Sequence, residues 1–479
     1  MRIYDFLSKY KEKQAVSFHM PGHKGSGIYV ENGFQSFFDG FMDMDITEIE
    51  GADNLFQAEG CILEAMEAYR RLYNTKKSYL LVNGSSSGII AAMLASVPKG
   101  GKLIMARNCH KSVYNGLALG GITPVYVYPE LSEGSYISGP VPAAEVAKAI
   151  EANPDAKAVI LPSPNYYGIC SDIKAIAKLA HDHGMVLIVD QAHGAHLKFF
   201  EDIGAGFPVS GEGGGADLVI NSTHKTLASF TQTAVLNLCS DRVEPVVIEE
   251  KLQQIESSSP SYILMASLDI NARILESRAE SYMRRWKENL HWFYDQAAGI
   301  SGLKVLRPED FEGNCLDISK INLVFSALGI DGGNLEKLLI ERNIYPELTA
   351  GSLVMCMTGI GNTREDYERL IEALREISRL HAGASPLNMV KNGYFEAMES
   401  LSREGKPVVI PAEKEPVDIR DAAGRVSAVS IIPYPPGIPL ICPGEVITAE
   451  VAAYAAELKT SGQKVMGVDD RLQVVCGRR

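Results

Sequence analysis

From Gly60 to Leu238 short apolar runs alternate with longer segments of helical spacing, and this alternation constrains the fold more than any other feature of the chain. The runs are "KLIMA" (102–106), "PVYVY" (124–128), "AVILP" (158–162), "VLIVD" (186–190), "DLVIN" (217–221) and "AVLNL" (234–238). Around them lie "CILEAMEAYRRLY" (61–73), "SGIIAAMLASV" (87–97), "AAEVAKAIEA" (143–152) and "DIKAIAKLAHDHG" (172–184), each with apolar residues at helical intervals. Strands buried on both faces read as continuous apolar runs, so the order predicts an α/β domain, a mostly parallel sheet with helices on both sides.

At 479 residues the chain exceeds the size at which single cores stop growing, and a second domain is expected. Residues 1–55 read as an N-terminal arm containing "FHMPGHKGSG" (18–27), too rich in Gly and Pro for a regular element. Residues 56–298 form the large domain, ending in a long helical pattern from about Ile263 to Gly299. Residues 299–479 form a smaller C-terminal α+β part that opens with "KINLVFSALG" (320–329) and "GGNLEKLLIERN" (332–343). Its segment "YPPGIPLICPGE" (434–445) carries prolines that exclude a central strand or helix interior.

Acidic residues number 59 against 46 basic ones, a net charge of −13, which disfavours nucleic acid as a partner and suits a cationic one. No run approaches the roughly 20 apolar residues of a membrane-spanning helix. The first eighteen residues lack the apolar centre of a signal peptide. Eight scattered cysteines without metal-finger spacing read as reduced thiols, and a cytoplasmic location follows as the expectation.

In open parallel sheets ligands bind beyond the carboxyl ends of the strands, and several of those ends are loaded with polar residues. "KLIMA" leads into "RNCHKS" with His110, "AVILP" into "SPNYYG" with Asn165, "VLIVD" ends on Asp190 before "QAHGAH", and "DLVIN" runs into "STHK" with Lys225. The loop "NGSSSG" (83–88) sets Ser85 and Ser86 at a helix start, where free N–H groups attract phosphate and where serine is also a common cap. Pyridoxal phosphate uses such parts together: an amine for its aldehyde, a phosphate cradle, a carboxylate at its ring nitrogen and a flat group against its ring. Lys225, the Ser85/Ser86 loop, Asp190 and His110 fill those roles, while Ser222 and His224 flank the lysine and suit a phosphate. Asp190, His193 and His196 also spell D-x-x-H-x-x-H, a low-specificity zinc spacing that leaves a metal hydrolase as a remote alternative.

With "FHMPGHKGSG", "NGSSSG", "RNCHKS", "VDQAHGAH", "STHK", "SSSPSYILMASLD" (257–269) and "YPPGIPLICPGE" in view, the sequence resembles the bacterial Orn/Lys/Arg decarboxylases, pyridoxal-phosphate enzymes of fold type I. The resemblance implies a seven-stranded, mostly parallel sheet. It implies that Lys225 carries the cofactor, Asp190 meets the pyridine nitrogen and His110 stacks on the ring. It also implies that His193 is a neighbour and that Ser85, Ser86, Ser222 and His224 hold the phosphate, with no metal. A basic amino acid is the implied substrate, with Glu445 or Glu347 as candidates for its distal positive group. A homodimer or larger assembly is implied too, in which the arm, the "SSSPSY" segment and Glu445 reach a neighbouring subunit's site. The family commonly reads Asp-Glu-Ala-His where this chain has Asp190, Gln191, Ala192 and His193, and a regulatory-type N-terminal domain found in large members is lacking, as in the short biosynthetic group. Transamination or aldol cleavage on the same cofactor is the alternative reaction, and a degenerate, non-catalytic homologue is disfavoured because none of the cofactor roles is vacant.

Overall fold

The computed structural model describes residues 3–477 apart from 131–136, 205, 312, 314, 388–392, 402–404, 407, 409–410, 435–436, 461–463 and 470. Pro435 and Pro436 of the proline-rich segment therefore lie outside the described residues. Seven strands make the large sheet: β1 (Lys77–Leu81), β2 (Lys102–Ala106), β3 (Thr123–Val127), β4 (Ala158–Pro162), β5 (Val186–Asp190), β6 (Leu218–Asn221) and β7 (Ala234–Leu238). Their spatial order is β1-β7-β6-β5-β4-β2-β3. Strands β2 to β6 run parallel, and β7 is antiparallel to both of its neighbours. The α/β architecture and the mostly parallel seven-stranded sheet thus agree with the sequence reading.

Every residue of β5 and β7 is buried, as their uninterrupted apolar character requires. The Gly84–Ser96 helix crosses the sheet at Gly88, where a Cβ would stand 2.5 Å from a Leu81 methyl and 3.3 Å from Ile220. Only glycine allows that approach, and it brings the helix N-terminus to the carboxyl edge of the sheet.

A 36-residue helix, Tyr262–Ala297, leaves the large domain, its start capped by the Ser261 hydroxyl accepting from the Leu264 amide at 3.3 Å. At about 1.5 Å per residue it spans roughly 54 Å. Leu268, Ala272, Trp286, Leu290 and Phe293 on it are buried in one cluster with residues of the arm, the large sheet and a second sheet. That second sheet has the order β10-β11-β9-β8, from β8 (Lys304–Val305), β9 (Lys320–Val324), β10 (Leu348–Ala350) and β11 (Leu353–Met357), with all pairs antiparallel. Residues from about 393 onward pack around a separate core that includes Ile431, Leu440, Ile447 and Val451.

Within the arm, residues 19–26 of "FHMPGHKGSG" hold no helix or strand, as their Gly and Pro content implies. Val16–Phe18 is a strand running parallel to Ile344–Pro346, with Val16 and Phe18 buried. Gly22 then lies on the Lys225 turn of its own chain, its amide donating to the His224 carbonyl at 2.8 Å. A Cβ there would stand 2.4 Å from the Thr226 carbonyl carbon, so any larger residue would push the arm away.

Candidate active site

Five chain segments meet at the carboxyl edge of the sheet. Strand β6 ends at Asn221, and a single helical turn, Thr223–Thr226, presents Lys225. The main chain fixes that turn from outside as well, because the Ile360 amide donates to the Thr226 carbonyl at 2.9 Å and the Gly361 amide to the Gly22 carbonyl at 3.0 Å.

Lys225 Nζ lies 2.9 Å from His193 Nε2. Burial lowers the amine below the ordinary lysine value, Asp190 and Glu347 pull it back up, and the nearby Lys320 ammonium lowers it further. Burial first, then Lys225, holds His193 neutral, so its Nε2 accepts from the amine and its Nδ1 keeps the hydrogen. That Nδ1 has no hydrogen-bond partner. The Tyr166 ring stacks obliquely on His193 at 4.4 Å between centroids, with Lys225 Nζ 6.0 Å from its own centroid.

Asp190 closes β5 with its side chain almost wholly buried, and its Oδ1 accepts from the Ala192 amide at 3.1 Å. Burial raises its carboxyl, while Lys225 and the Ala192 amide oppose the rise. His110 caps the Lys111–Gly120 helix, its Nδ1 accepting from the Ser112 amide at 3.3 Å. Burial and Lys225 depress it to about 3, so the imidazole is neutral and its orientation is set by the cap.

The phosphate candidates gather less tightly. Ser85 and Ser86 stand in the first turn of the Gly84–Ser96 helix, which starts three residues earlier than the apolar pattern indicates, and the Asn83 side chain does not cap it. Ser222 is fully buried, yet its hydroxyl has no partner. An orphaned hydroxyl and an uncapped helix start are donors in want of an anion, and they fit a phosphate. His224 donates from Nδ1 to the Thr233 carbonyl at 2.7 Å and is depressed to about 4 by burial. Its remaining nitrogen therefore donates to a phosphate only when the ring is protonated.

Glu347, between β10 and the Ile344–Pro346 strand, faces the same space. It accepts from the Tyr166 hydroxyl at 3.1 Å and from the Met20 amide at 2.9 Å. Glu445 does not join it. Its Oε1 accepts from Tyr126 at 3.0 Å, and its Oε2 from the Cys442 amide at 2.7 Å and from the fully buried Arg107 at 3.3 Å. Arg107 also donates to the carbonyls of Pro439 and Leu440, so Glu445 completes a clamp on the C-terminal segment. The reading of Glu445 as a receptor for substrate is corrected accordingly: its acceptor positions are taken up within its own chain.

His196 turns away from His193 towards Asp317, at 3.1 Å, and Ser319, at 3.2 Å. Asp190, His193 and His196 thus form no shared ligand set, and among the described residues no group of three potential ligands converges. Asn165 shapes its loop, accepting from the Tyr167 and Ile169 amides and donating to Ser138, which leaves the neighbouring Tyr166 to face the lysine. Tyr166 escaped the sequence reading although it sits in a strand-end loop already marked by Asn165. Lys320 escaped it too: its fully buried ammonium donates to the His193 carbonyl at 2.9 Å and to Asp317 at 3.1 Å, across 127 residues of chain.

Residues 2–302 match the family model described as "Orn/Lys/Arg decarboxylase, major domain", and residues 388–476 the one described as "Orn/Lys/Arg decarboxylase, C-terminal domain". An uncharacterized Bacillus subtilis protein, YaaO, is 33% identical over 97% of this chain and 95% of its own length. A protein of Halalkalibacterium halodurans named arginine decarboxylase is 32% identical over 98% and 95%. The Francisella novicida lysine decarboxylase LdcF superposes with a TM-score of 0.74 at 19% identity, covering 97% of this chain and 80% of that one, and shares its fold. A half-buried lysine after the end of β6, a carboxylate at the end of β5 and a match over both ends of the chain make this protein a member of the Orn/Lys/Arg decarboxylase family.

Proposed function

We propose that the protein carries pyridoxal phosphate on Lys225 and decarboxylates a basic amino acid to the corresponding amine and carbon dioxide. The observation that carries this reading is the half-buried Lys225 amine, 2.9 Å from a neutral His193 and within the fields of Asp190 and Glu347. When bound, the cofactor supplies an electron sink for the bond that breaks at the substrate's α-carbon. Asp190 would hold a proton at the pyridine nitrogen, and Lys225 and the Ala192 amide oppose the rise that burial imposes on its carboxyl. His110, its orientation fixed by the helix cap, offers a neutral ring face. Ser222, with Ser85 and Ser86, would donate to the phosphate, and His224 would join them only once protonated.

The neutral His193 Nε2 accepts from Lys225 Nζ and so aims the amine, while burial keeps the lysine nucleophilic and able to deliver a proton to the substrate's α-carbon. Tyr166 and Glu347 line the approach, and the negative charge of Glu347 suits the distal cation of the substrate. The Halalkalibacterium relative bears the name arginine decarboxylase, in keeping with a basic substrate.

A second copy of the chain completes the assembly in this reading. Phe41, Met42, Met44, Ile46 and Ile49 are exposed together along one stretch of the arm, more apolar surface than a lone subunit ordinarily leaves in water. All eight cysteines are free thiols, in keeping with the cytoplasm. No helix among the described residues is long and apolar enough to cross a membrane. The amine product belongs to the class from which polyamines are built.

The test is carbon dioxide release from arginine, lysine and ornithine by the protein loaded with pyridoxal phosphate. Stoichiometric release with an amine product is expected, and keto acid formation without carbon dioxide would sink the reading. Light scattering on the same sample, expected to give at least a dimer, tests the assembly.

A further inference from the structure

Beside the ends of β5 and β6 lies a buried polar network to which the proposed chemistry gives no role. The loop "GEGGG" (211–215) precedes β6 and is pressed onto the sheet more closely than side chains allow. A Cβ on Gly211 would stand 3.0 Å from a Val219 methyl, and one on Gly214 would stand 2.7 Å from an Ile173 methyl. What this closeness delivers is the carboxylate of Glu212. Its Oε1 accepts from Asn221 Nδ2 at 2.7 Å and Asn237 Nδ2 at 2.8 Å, and its Oε2 from Gln191 Nε2 at 2.9 Å. Gln191 Nε2 also donates to Asn221 Oδ1 at 2.9 Å, and Gln191 Oε1 accepts from the Gly211 amide at 2.5 Å. Asn237 in turn accepts from Ser78 at 2.6 Å, and Gln191, Asn221 and Asn237 are fully buried.

One carboxylate therefore holds β6 and β7 to the residue that follows β5, two of its three partners adjoin the site in sequence, and Asn237 carries the link on to Ser78 in β1. Gln191 follows Asp190, and Asn221 precedes Ser222 and stands four residues before Lys225. We propose that Glu212 is a positioning residue that sets the separation of Asp190 from the Lys225 turn by holding Gln191 and Asn221 on its two oxygens. This rests on the reading of the site as a pyridoxal-phosphate site. The chain's departure at 191 from the glutamate common in its family follows from the same contacts. A carboxylate there would face Glu212 and Asn221 Oδ1, two acceptors at 2.9 Å, whereas the amide supplies a donor to both.

Three variants test the proposal: Gln191→Glu, Glu212→Gln, and the exchange variant carrying both. Each apo-protein is titrated with pyridoxal phosphate by visible absorption, and its melting temperature without cofactor is recorded. Each single substitution leaves a buried group facing one of its own kind and is expected to weaken cofactor binding about tenfold. The exchange variant restores one charge and matching donors and is expected to bind within about threefold of the wild type, a coupling seen only between groups in direct contact. If a single variant does not fold, the exchange variant still decides: folded and binding near the wild-type level supports the proposal, folded and binding poorly overturns it. Losses that add in the exchange variant, or losses of apo melting temperature with unchanged cofactor affinity, also overturn it. A wild type that takes up no pyridoxal phosphate sinks the functional reading and this inference together, whereas normal wild-type uptake with additive losses overturns this inference alone.

Discussion

Two buried charge clusters follow strand ends of the same sheet, and they differ in how much of their polar capacity is spent. Around Arg107, beyond β2, the guanidinium's two terminal nitrogens meet Tyr114, Glu445 and the Pro439 and Leu440 carbonyls, and both oxygens of Glu445 are occupied, which leaves the guanidinium Nε buried without a partner. Around Lys225, beyond β6, the His193 Nδ1 and the Ser222 hydroxyl are buried without partners. A cluster whose charged ends meet each other and the main chain is fastening, even with one guanidinium nitrogen left over. A cluster that leaves donors and acceptors unspent is waiting for a ligand, because orphaned buried groups are costly and persist where a bound molecule removes the cost.

Substitutions in the two clusters should therefore fail in different ways. The largest effect is expected from Lys225→Ala, which removes the amine proposed to carry the cofactor. Visible absorption of the loaded protein and turnover should both vanish, and survival of either would refute the assignment. Asp190→Asn keeps the shape and loses the charge, with turnover falling by about a hundredfold or more; a near-normal rate would show that another group holds the ring proton. In the fastening cluster, Glu445→Ala strips a buried guanidinium of its carboxylate and should cost about 3 kcal/mol of stability. The folded fraction of that variant should still turn over within about twofold of the wild type. A large drop in turnover at unchanged melting temperature would erase the distinction between the clusters.

Smaller effects sharpen the comparison. Glu347→Gln should raise KM for a basic substrate up to about fivefold with little change in kcat, the scale of one partly exposed charge pair. The weakest signal concerns pH. Burial lowers the Lys225 amine from its ordinary 10.5. A lowered value makes the neutral amine available at lower pH, so the rate of cofactor uptake by the apo-protein should rise with pH and level off below 10.5. Asp190 and Glu347 oppose that lowering, so Glu347→Gln should move the midpoint to still lower pH. Stopped-flow absorption across the pH range checks both the plateau and the direction of the shift.

What could be read in the sequence follows the range of the interactions involved. Apolar runs placed six of the seven strands of the large sheet, because burial on both faces writes itself into consecutive residues. Strand β1, "KSYLL", was passed over: its first half is polar, and its only partner is the antiparallel β7. Lys225, Asp190 and His110 were visible because strand ends concentrate function and each role demands a particular side chain. Glu445 was misjudged because its partner Arg107 is 338 residues away, and a glutamate in a proline-rich segment carries no local sign of what it binds. Glu212 stayed hidden in a glycine-rich loop whose composition suggests only a turn. Its significance lies in distances of less than 3 Å to three side-chain amides, two on strands β6 and β7 and one just after β5.

The turn that presents Lys225 takes main-chain hydrogen bonds from residue 22 on one side and residue 360 on the other. During synthesis, the chain has to extend beyond Gly361 before the last of these bonds can close, long after the lysine has left the ribosome. Such distant closures belong to the later events of folding. A nascent protein would thus own its reactive amine well before it could aim it, and productive cofactor loading would await the completed chain.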